Sequence, residues 1–195
     1  GAAVASAGGL RGARRISHVF VIDVPGHPRP LLIADAVINI TPNLAAKRDI
    51  VQNAVDFAHA IGIACPKVAI LSAVESVNPA IAGSVDAPAL IAMARSGEIS
   101  GAMVDGPFGM DNAISAEAAR IKGIRSEVAG QPDILLVPGL EAGNILYKAL
   151  VYLARGECAG LVLGAKVPIV LTSRADSIES RVASCALAVL KEKNQ

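Results

Sequence analysis

Stretches of aliphatic and β-branched residues alternate along this chain with Ala- and Leu-rich stretches of helical spacing, and this alternation constrains the fold more than any other feature. The first kind predicts buried strands, and the second predicts helices, several of which stop at a glycine. Such alternation indicates an α/β fold with three layers, α/β/α, in which helices cover both faces of a mostly parallel sheet. The predicted strands are 16–24, 31–40, 67–74, 100–106, 133–139, 158–164 and 167–173, and the predicted helices are 41–62, 85–97, 115–123, 141–156 and 176–190.

The first two predicted strands form a separate unit, because only a short loop of Pro, Gly and polar residues, 25–30, lies between them. Two apolar runs joined in this way predict an antiparallel hairpin near the start of the chain. Thr41 and Pro42 then predict the N-cap and the first position of a helix, and Gly62 is expected to end that helix. The sheet is therefore expected to be mostly parallel with one antiparallel section.

The composition supports this fold class and argues against some partners. Hydrophobic residues make up 53% of the 195 residues, charged residues 18% and aromatic residues 3%, so aliphatic side chains can fill a large core. The formal net charge is +1, and we interpret the basic stretch 13–15 as a solvated turn, so no nucleic-acid partner is expected. No apolar run is long enough to span a bilayer, so no membrane partner is expected.

The cysteines and histidines do not form a recognisable site. No spacing typical of a metal site occurs, so no metal is expected, and an odd number of separated cysteines favours a reduced, cytoplasmic protein. Two of the cysteines lie in Ala-rich surroundings that predict inert core residues, and all three histidines are interpreted as structural. The residues concerned are Cys65, Cys158 and Cys185, of which the last two are the predicted core residues, and His18, His27 and His59.

Polar residues and glycines collect where predicted strands end, and ligands of open α/β sheets bind beyond the carboxyl ends of strands. Gly139 ends one strand, and Gly143 and Asn144 begin the following helix. Free N–H groups and the dipole of a helix start favour an anion, although glycine there also serves capping and turn formation. Asp105 and Asp111 flank a Gly-Pro turn, where paired carboxylates can do acid–base work or hold a metal, but turn and cap hydrogen bonding is their commoner use.

The last predicted strand ends in an unusually polar stretch. Thr172, Ser173 and Arg174 stand at its carboxyl end. The guanidinium of Arg174 offers a fork of donors that suits phosphate or carboxylate, unless it only pairs with Asp176 at the surface. Asp176 and Glu179 have the spacing of a capping box, which would open the last helix. The residues alone thus predict an anion site at the strand ends without naming a reaction.

Four segments together give the chain a resemblance to a known family. They are LIADAVINITPN (32–43), VDGPFGMDNAIS (104–115), the segment 128–154 that contains VPGLEAGN, and GAKVPIVLTSRADS (164–177). In this order they resemble the phosphate acetyltransferase / phosphate butyryltransferase family, from about residue 15 to the C-terminus. The similarity looks closest to the butyryl-type branch, and to the acyltransferase half of bifunctional proteins that also carry an enoyl-CoA hydratase domain.

The resemblance implies a fold similar to the isocitrate and isopropylmalate dehydrogenases, with two α/β lobes and a cleft between them. Family members carry an N-terminal segment that builds most of the first lobe, and this sequence lacks it. We therefore expect a frayed N-terminus over 1–14, the second lobe over 15–165, and a strand and helix over 166–195 that return to the first lobe.

The resemblance also implies the reaction acyl-CoA + phosphate = acyl phosphate + CoA, with acetyl or butyryl as the acyl group. Coenzyme A would be a substrate, no further cofactor is expected, and the expected assembly is a homodimer. Ser173 would stabilise an oxyanion and Arg174 would bind phosphate. Further substrate contacts are expected from Asp105, Gly139, Gly143, Asn144 and Thr172.

Two positions depart from the acetyltransferase branch of the family. Tyr152 stands where that branch has an Arg, and Ser180 stands where it has an Asp that is thought to help deprotonate the CoA thiol. The base of the reaction is therefore left unassigned. A second reading is an isolated, catalytically incomplete lobe that binds CoA or serves as an assembly module. A third is a metal-dependent dehydrogenase of similar fold with Asp105 and Asp111 as ligands, but no Gly-rich dinucleotide fingerprint accompanies them.

Overall fold

The computed structural model describes residues 9–10, 12–171 and 177–193. Six strands and several helices alternate along these residues, as the sequence predicts. The strands are β1 (Ser17–Asp23), β2 (Leu31–Ala34), β3 (Lys67–Leu71), β4 (Met103–Phe108), β5 (Ile134–Leu136) and β6 (Glu157–Leu163). The helices are α1 (Leu44–Ala60), α2 (Ala82–Ser96), α3 (Met110–Ile114), α4 (Ala116–Ile121), α5 (Leu140–Lys148) with a π-helical continuation (Ala149–Leu153), and α6 (Ile178–Lys193).

The six strands form one sheet in the order β4-β3-β5-β2-β1-β6. Neighbours from β4 to β2 are parallel, and β1 runs antiparallel to both β2 and β6. The predicted hairpin and the mostly parallel sheet are both confirmed. Because β6 is antiparallel to β1, it points the same way as β2, so five strands have their carboxyl ends at one edge of the sheet.

Helices cover both faces, which confirms the three-layer architecture. On one face α1, α2 and α6 pack on side chains such as Val19, Leu32 and Leu161. On the other face α3, α4 and α5 pack on side chains such as Phe20, Ile33 and Leu135. Side chains that alternate along a strand point to opposite faces, so the central strands, buried on both sides, consist almost entirely of aliphatic residues.

Several boundaries differ from the sequence-based prediction. Strand β2 ends at Ala34 rather than at residue 40. The buried Asp35 carboxylate accepts hydrogen bonds from the backbone amides of Val37 and Ile38, which therefore do not pair with a neighbouring strand. Helix α1 is capped by Asn43, whose side-chain oxygen accepts from the Ala46 amide at 2.9 Å, so Thr41 is not the cap. Gly62, with a φ of +97°, does follow the helix in the left-handed conformation that favours glycine.

The C-terminal part also departs from expectation. Helix α5 does not run regularly to Gly156 but widens into the π-helix, and Arg155 adopts the left-handed conformation with a φ of +57°. The described residues of the predicted strand 167–173 form only one antiparallel bridge, between Val162 and Ile169. Asp176 lies outside the described residues; Ser177 Oγ accepts from the Ser180 amide at 3.1 Å and serves as the cap of α6.

One of the two cysteine predictions is wrong. Cys158, on β6, is buried, as expected for an inert core residue. Cys185 is exposed because α6 turns its Ser184 side toward β6, where Ser184 Oγ accepts from the Gly160 amide at 3.0 Å. The Ala-rich surroundings did not distinguish the two sides of this helix.

Candidate functional site

The loop after β2 is held by one buried carboxylate at the edge where the parallel strands end. Asp35 is 2% exposed and accepts hydrogen bonds from the amides of Val37 and Ile38 at 2.9 and 3.0 Å. It also accepts from the Asn39 amide and, at 2.6 Å, from the Asn39 side chain, whose oxygen in turn accepts from Arg15 Nε. This network fixes the backbone of residues 35–39, because four donors converge on one charged acceptor.

The fixed loop lies against the start of α5. Gly143 is buried there, and a Cβ added to it would stand 2.7 Å from Val137 Cγ2 and 3.0 Å from the Cα of Ala36. The Asn144 side chain donates to the Ala36 carbonyl at 3.4 Å, and the Leu140 amide donates to the Ile40 carbonyl at 3.0 Å. Glycine at position 143 thus serves close packing, a use that the sequence pattern alone could not separate from ligand binding.

Gly139, Gly143 and Asn144 are therefore together at the end of β5, as predicted from their order in the sequence. Gly139 occupies the N-cap of α5 with extended backbone and offers no side-chain cap. The N-terminus of α5 consequently faces this edge with the positive end of its dipole, although Glu141 lies in the first turn. The geometry suits an anionic or strongly polar group near the strand ends.

Asp105 does not join this group. It lies inside β4, opposite Ala69, rather than beyond the strand end, and β4 is the outermost strand, two places from β5. Its side chain lines a groove of about 630 Å³ beside the sheet's outer edge, together with Arg95, Arg125 and Glu127. A role of Asp105 in substrate binding stays a prediction, and strand β3 lies between β4 and the strand that Gly139 follows.

The ends of β3 and β4 are joined by a cluster of charges that sequence reasoning did not find. Lys122 Nζ lies 2.6 Å from Glu75 Oε1 and 2.8 Å from Asp111 Oδ2, and Asn112 donates to Glu75 Oε1 at 2.7 Å. Hydrogen bonds to Asp111 and Glu75 raise the pKa of Lys122, and hydrogen bonds from Lys122 lower the pKa of both carboxyls. Asp111 is thus engaged with Lys122, and the described residues contain no group of three or more side chains placed to hold a metal ion.

His18 lies at the same edge, since the register that pairs Val19 with Ala34 puts His18 beside Asp35. It is 1% exposed, its ring contacts Phe20 edge-on at 4.5 Å, and neither ring nitrogen has a hydrogen-bond partner within the described part of the chain. Burial lowers the pKa of His18 to about 4, so the imidazole is neutral near pH 7. The sequence interpretation of His18 as structural fits its burial, but the unpaired nitrogens were not foreseen.

The remaining predicted site residues are not placed. Thr172, Ser173 and Arg174 lie outside the described residues. The stretch before them runs antiparallel to β6 at the Val162–Ile169 bridge, so its direction is away from the edge that carries Gly139. Within the described residues, therefore, no contact brings this stretch to the N-terminus of α5.

Comparison with known proteins places the chain in a family. A family model described as phosphate acetyl/butaryl transferase matches residues 2–189. Phosphate acetyltransferase of Rhizobium meliloti is 62% identical over 186 residues, which are 95% of this chain and 59% of that protein. The probable phosphate butyryltransferase of Bacillus subtilis (strain 168) is 52% identical over 181 residues, 93% of this chain and 60% of that protein.

A solved structure, the branched-chain phosphotransacylase from Enterococcus faecalis V583, is also similar. It superposes with a TM-score of 0.87 and 35% identity, covering 97% of this chain and 68% of that chain. The chain spans about three-fifths of the length of the curated relatives it matches. By its sequence over nearly the whole length and by its fold, the chain belongs to the phosphate acetyl/butaryl transferase family.

Proposed function

We propose that this chain serves the transfer of an acyl group between coenzyme A and inorganic phosphate: acyl-CoA + phosphate = acyl phosphate + CoA. The observation that carries the proposal is the match to the family over residues 2–189. Relatives named as acetyltransferase and as butyryltransferase are both more than half identical to it, so a short acyl chain is supported and the choice between the two is open.

The reaction needs three things from a protein. A phosphate oxygen attacks the thioester carbonyl, a C–O bond forms, the C–S bond breaks, and CoA leaves as a thiolate that then takes up a proton. The attack creates an oxyanion, for which we propose Ser173 Oγ as donor, and phosphate needs a cation, for which we propose Arg174. Both reactants must be held together, so much of the acceleration would come from positioning.

The start of α5 supports the proposed positioning role of Gly139, Gly143 and Asn144. The Asp35 network and the close packing at Gly143 hold this helix end rigidly, and rigid elements position ligands more precisely than loops do. Thr172 and Asp105 complete the proposed contacts. The chemistry uses coenzyme A as a substrate, and its steps as written above call for no resident metal or cofactor.

We further propose the division into lobes that the family resemblance implies, with 15–165 as the second lobe and 166–195 as a segment that packs on the other lobe. The exposed apolar side chains of α6 support this. Ile178, Val182 and Val189 are 75%, 63% and 53% exposed, and such a stripe is normally covered.

A homodimer is the assembly we propose, and the groove at the outer edge of β4 is the surface that suits it. The edge of β4 is unpaired, and Arg95, Asp105, Arg125 and Glu127 around it form no ion pair with one another or with other described residues. Two cations and two carboxylates make the surface self-complementary, which a two-fold interface requires. Sedimentation of the chain and of Arg125→Glu tests this: the variant would be monomeric, whereas an unchanged dimer would exclude the groove.

The proposed activity is tested with the 195-residue chain, acetyl-CoA or butyryl-CoA, and inorganic phosphate. The free thiol of CoA is followed with a thiol reagent, and acyl phosphate is trapped separately with hydroxylamine. Phosphate-dependent release of thiol with an equal amount of acyl phosphate is expected. Thiol release that does not depend on phosphate would indicate a thioesterase and contradict the proposal.

A second candidate function is that of a lobe that binds CoA without turning it over. The observation that favours it is the length of the match, 59% of one relative and 60% of another. This candidate is supported if calorimetry shows that the chain binds CoA while no thiol is released from acyl-CoA. Turnover should then appear when the rest of a relative is supplied as a separate polypeptide.

We place either function in the cytoplasm, since the three cysteines are free thiols. None of the described helices is long and apolar enough to cross a membrane.

A further inference from the structure

A small pocket with two cationic walls opens at the carboxyl end of β6. It has a volume of about 200 Å³ and lies between the stretch before β1, α1, α6 and the residues that follow β6. Its polar lining comes from Arg14, Asn53, Asp56 and Lys191. The pocket is on the face of the sheet covered by α1 and α6, whereas α5 lies on the other face, so it is separate from the candidate site at Gly139.

Lys191 is the unusual member of this pocket. The residue is only 7% exposed, yet its ammonium group makes no hydrogen bond and no ion pair with any described residue. Burial lowers the pKa of Lys191, and the charges of Glu192 and Asp56 offset this only in part. The aliphatic part of the side chain is buried, whereas the ammonium group itself is open to the solvent of the pocket, so an anion can reach it from there.

Arg14 supplies a second unused donor. Its Nη2 pairs with Asp56 Oδ2, while its Nη1 is buried and has no partner within the described part of the chain. Asp56 already accepts from Gln52 at 2.8 Å in addition to Arg14, and the Asn53 amide donates to Arg15 and Ser17. The pocket thus has two cations against one carboxylate, and donors on both cations that the described residues leave unfilled.

We propose that this pocket binds a phosphate group between Lys191 Nζ and the guanidinium of Arg14, whose side chain is 40% exposed. Phosphate presents several acceptor oxygens to donors from two directions, which a guanidinium and an ammonium on separate walls supply. The volume of about 200 Å³ equals about seven waters at roughly 30 Å³ each, enough for one phosphate with some hydration. The group comes either from free inorganic phosphate or from a phosphate of coenzyme A, since both carry this chemistry.

The test measures phosphate binding by calorimetry in the 195-residue chain with Arg174→Ala, which removes the guanidinium proposed for the other site. Saturable binding is expected to remain. Adding Lys191→Met should weaken it by about tenfold or more, since one charge-assisted contact is lost. The matched control is Lys193→Met on the same helix, where the exposed Lys193 is replaced and affinity should change by less than about twofold.

Lys191→Met keeps an aliphatic side chain in the buried position and should fold; Arg14→Gln is the second variant and should weaken phosphate binding similarly. Competition by CoA but not by 3′-dephospho-CoA would assign the group to the nucleotide 3′-phosphate, and competition by neither would assign it to free phosphate. The proposal is overturned if the Arg174→Ala chain binds no phosphate, or if both pocket variants bind it unchanged. Neither result depends on acyl transfer, so failure of the proposed function is a separate outcome.

Discussion

Gly143 of α5 lies so close to Ala36 that a Cβ on Gly143 would stand 3.0 Å from both the Cα and the Cβ of Ala36. The loop after β2 and the start of α5 therefore meet without a side chain between them. The contact joins two segments, 32–43 and 128–154, on which the family resemblance rests. It sets the position of the helix end that we propose lines the cleft.

Replacing Gly143 with Ala tests this contact. The added methyl would also meet Val137 Cγ2 at 2.7 Å, so the helix start must shift, and we expect a loss of about 1–3 kcal/mol in the free energy of unfolding. Urea denaturation measures it, with the neighbouring exposed Ala142→Ser as control. A Gly143→Ala chain as stable as the wild type would show that the loop and helix are not held in this register.

Asp35→Asn tests the network that shapes the loop after β2. The amide keeps the shape but turns an NH₂ group toward donors from Val37, Ile38 and Asn39, so at least one buried donor loses its partner. The expected loss is about 2–3 kcal/mol in the free energy of unfolding. The exposed Asp23→Asn at the far end of β1 is the control, and an equal effect of the two substitutions would argue against the network.

The pH dependence of stability tests the state of His18. Its folded pKa of about 4 lies below the ordinary histidine pKa of 6.5, so the unfolded chain binds more protons between these two pH values. The free energy of unfolding therefore falls as the pH decreases through that window. Between about pH 7.5 and about pH 5, His18 should account for a loss of about 2 kcal/mol. In the His18→Gln chain, the free energy of unfolding should no longer fall by this amount between the two pH values. In the control His59→Gln, which replaces an exposed histidine, the same fall should remain. Equal pH profiles for the wild type and His18→Gln would contradict the burial of a neutral imidazole.

Ser180 and Ser177 form a matched pair at the start of α6. Ser177 Oγ accepts from the Ser180 amide, whereas Ser180 Oγ lies 3.3 Å from Ser177 Oγ at an exposed position. Ser177→Ala should lower stability by about 1 kcal/mol through loss of the cap. Ser180→Ala should change turnover by less than about twofold, because a hydroxyl is a poor base at neutral pH. A thousand-fold loss on Ser180→Ala would give Ser180 the catalytic role that we deny it.

Much of the fold was readable from the sequence, because most of the strands are rich in aliphatic residues and three of the six described helices, α1, α2 and α4, are followed closely by a glycine. Boundaries were harder. Asp35 and Asn43 have short polar side chains that bind nearby backbone amides, and such local competition ends β2 and starts α1 where hydrophobic patterning gives no signal. Thr41 and Pro42 carried an equally good capping signal, so only the observed hydrogen bond decides between them.

The candidate site was less predictable. The neighbourhood of Gly139, Gly143 and Asn144 could be predicted because the three residues are close in sequence. Asp105 lies apart from them because it belongs to the outermost strand, and the local sequence pattern does not determine the order of strands in a sheet. Lys191 was missed for the same reason: a lysine near the end of a helix usually lies in solvent, and only the packing of α6 on β6 buries it.

The most direct test of the account is the phosphate dependence of thiol release from acyl-CoA in the wild-type chain and in Arg174→Ala, with the exposed Arg120→Ala as control. Arg174→Ala is expected to raise the KM for phosphate by about tenfold or more, since a charge-assisted contact to phosphate is removed, while Arg120→Ala is expected to leave that KM unchanged. An unchanged KM and rate in Arg174→Ala would show that phosphate is not held by this guanidinium and would contradict the proposed site.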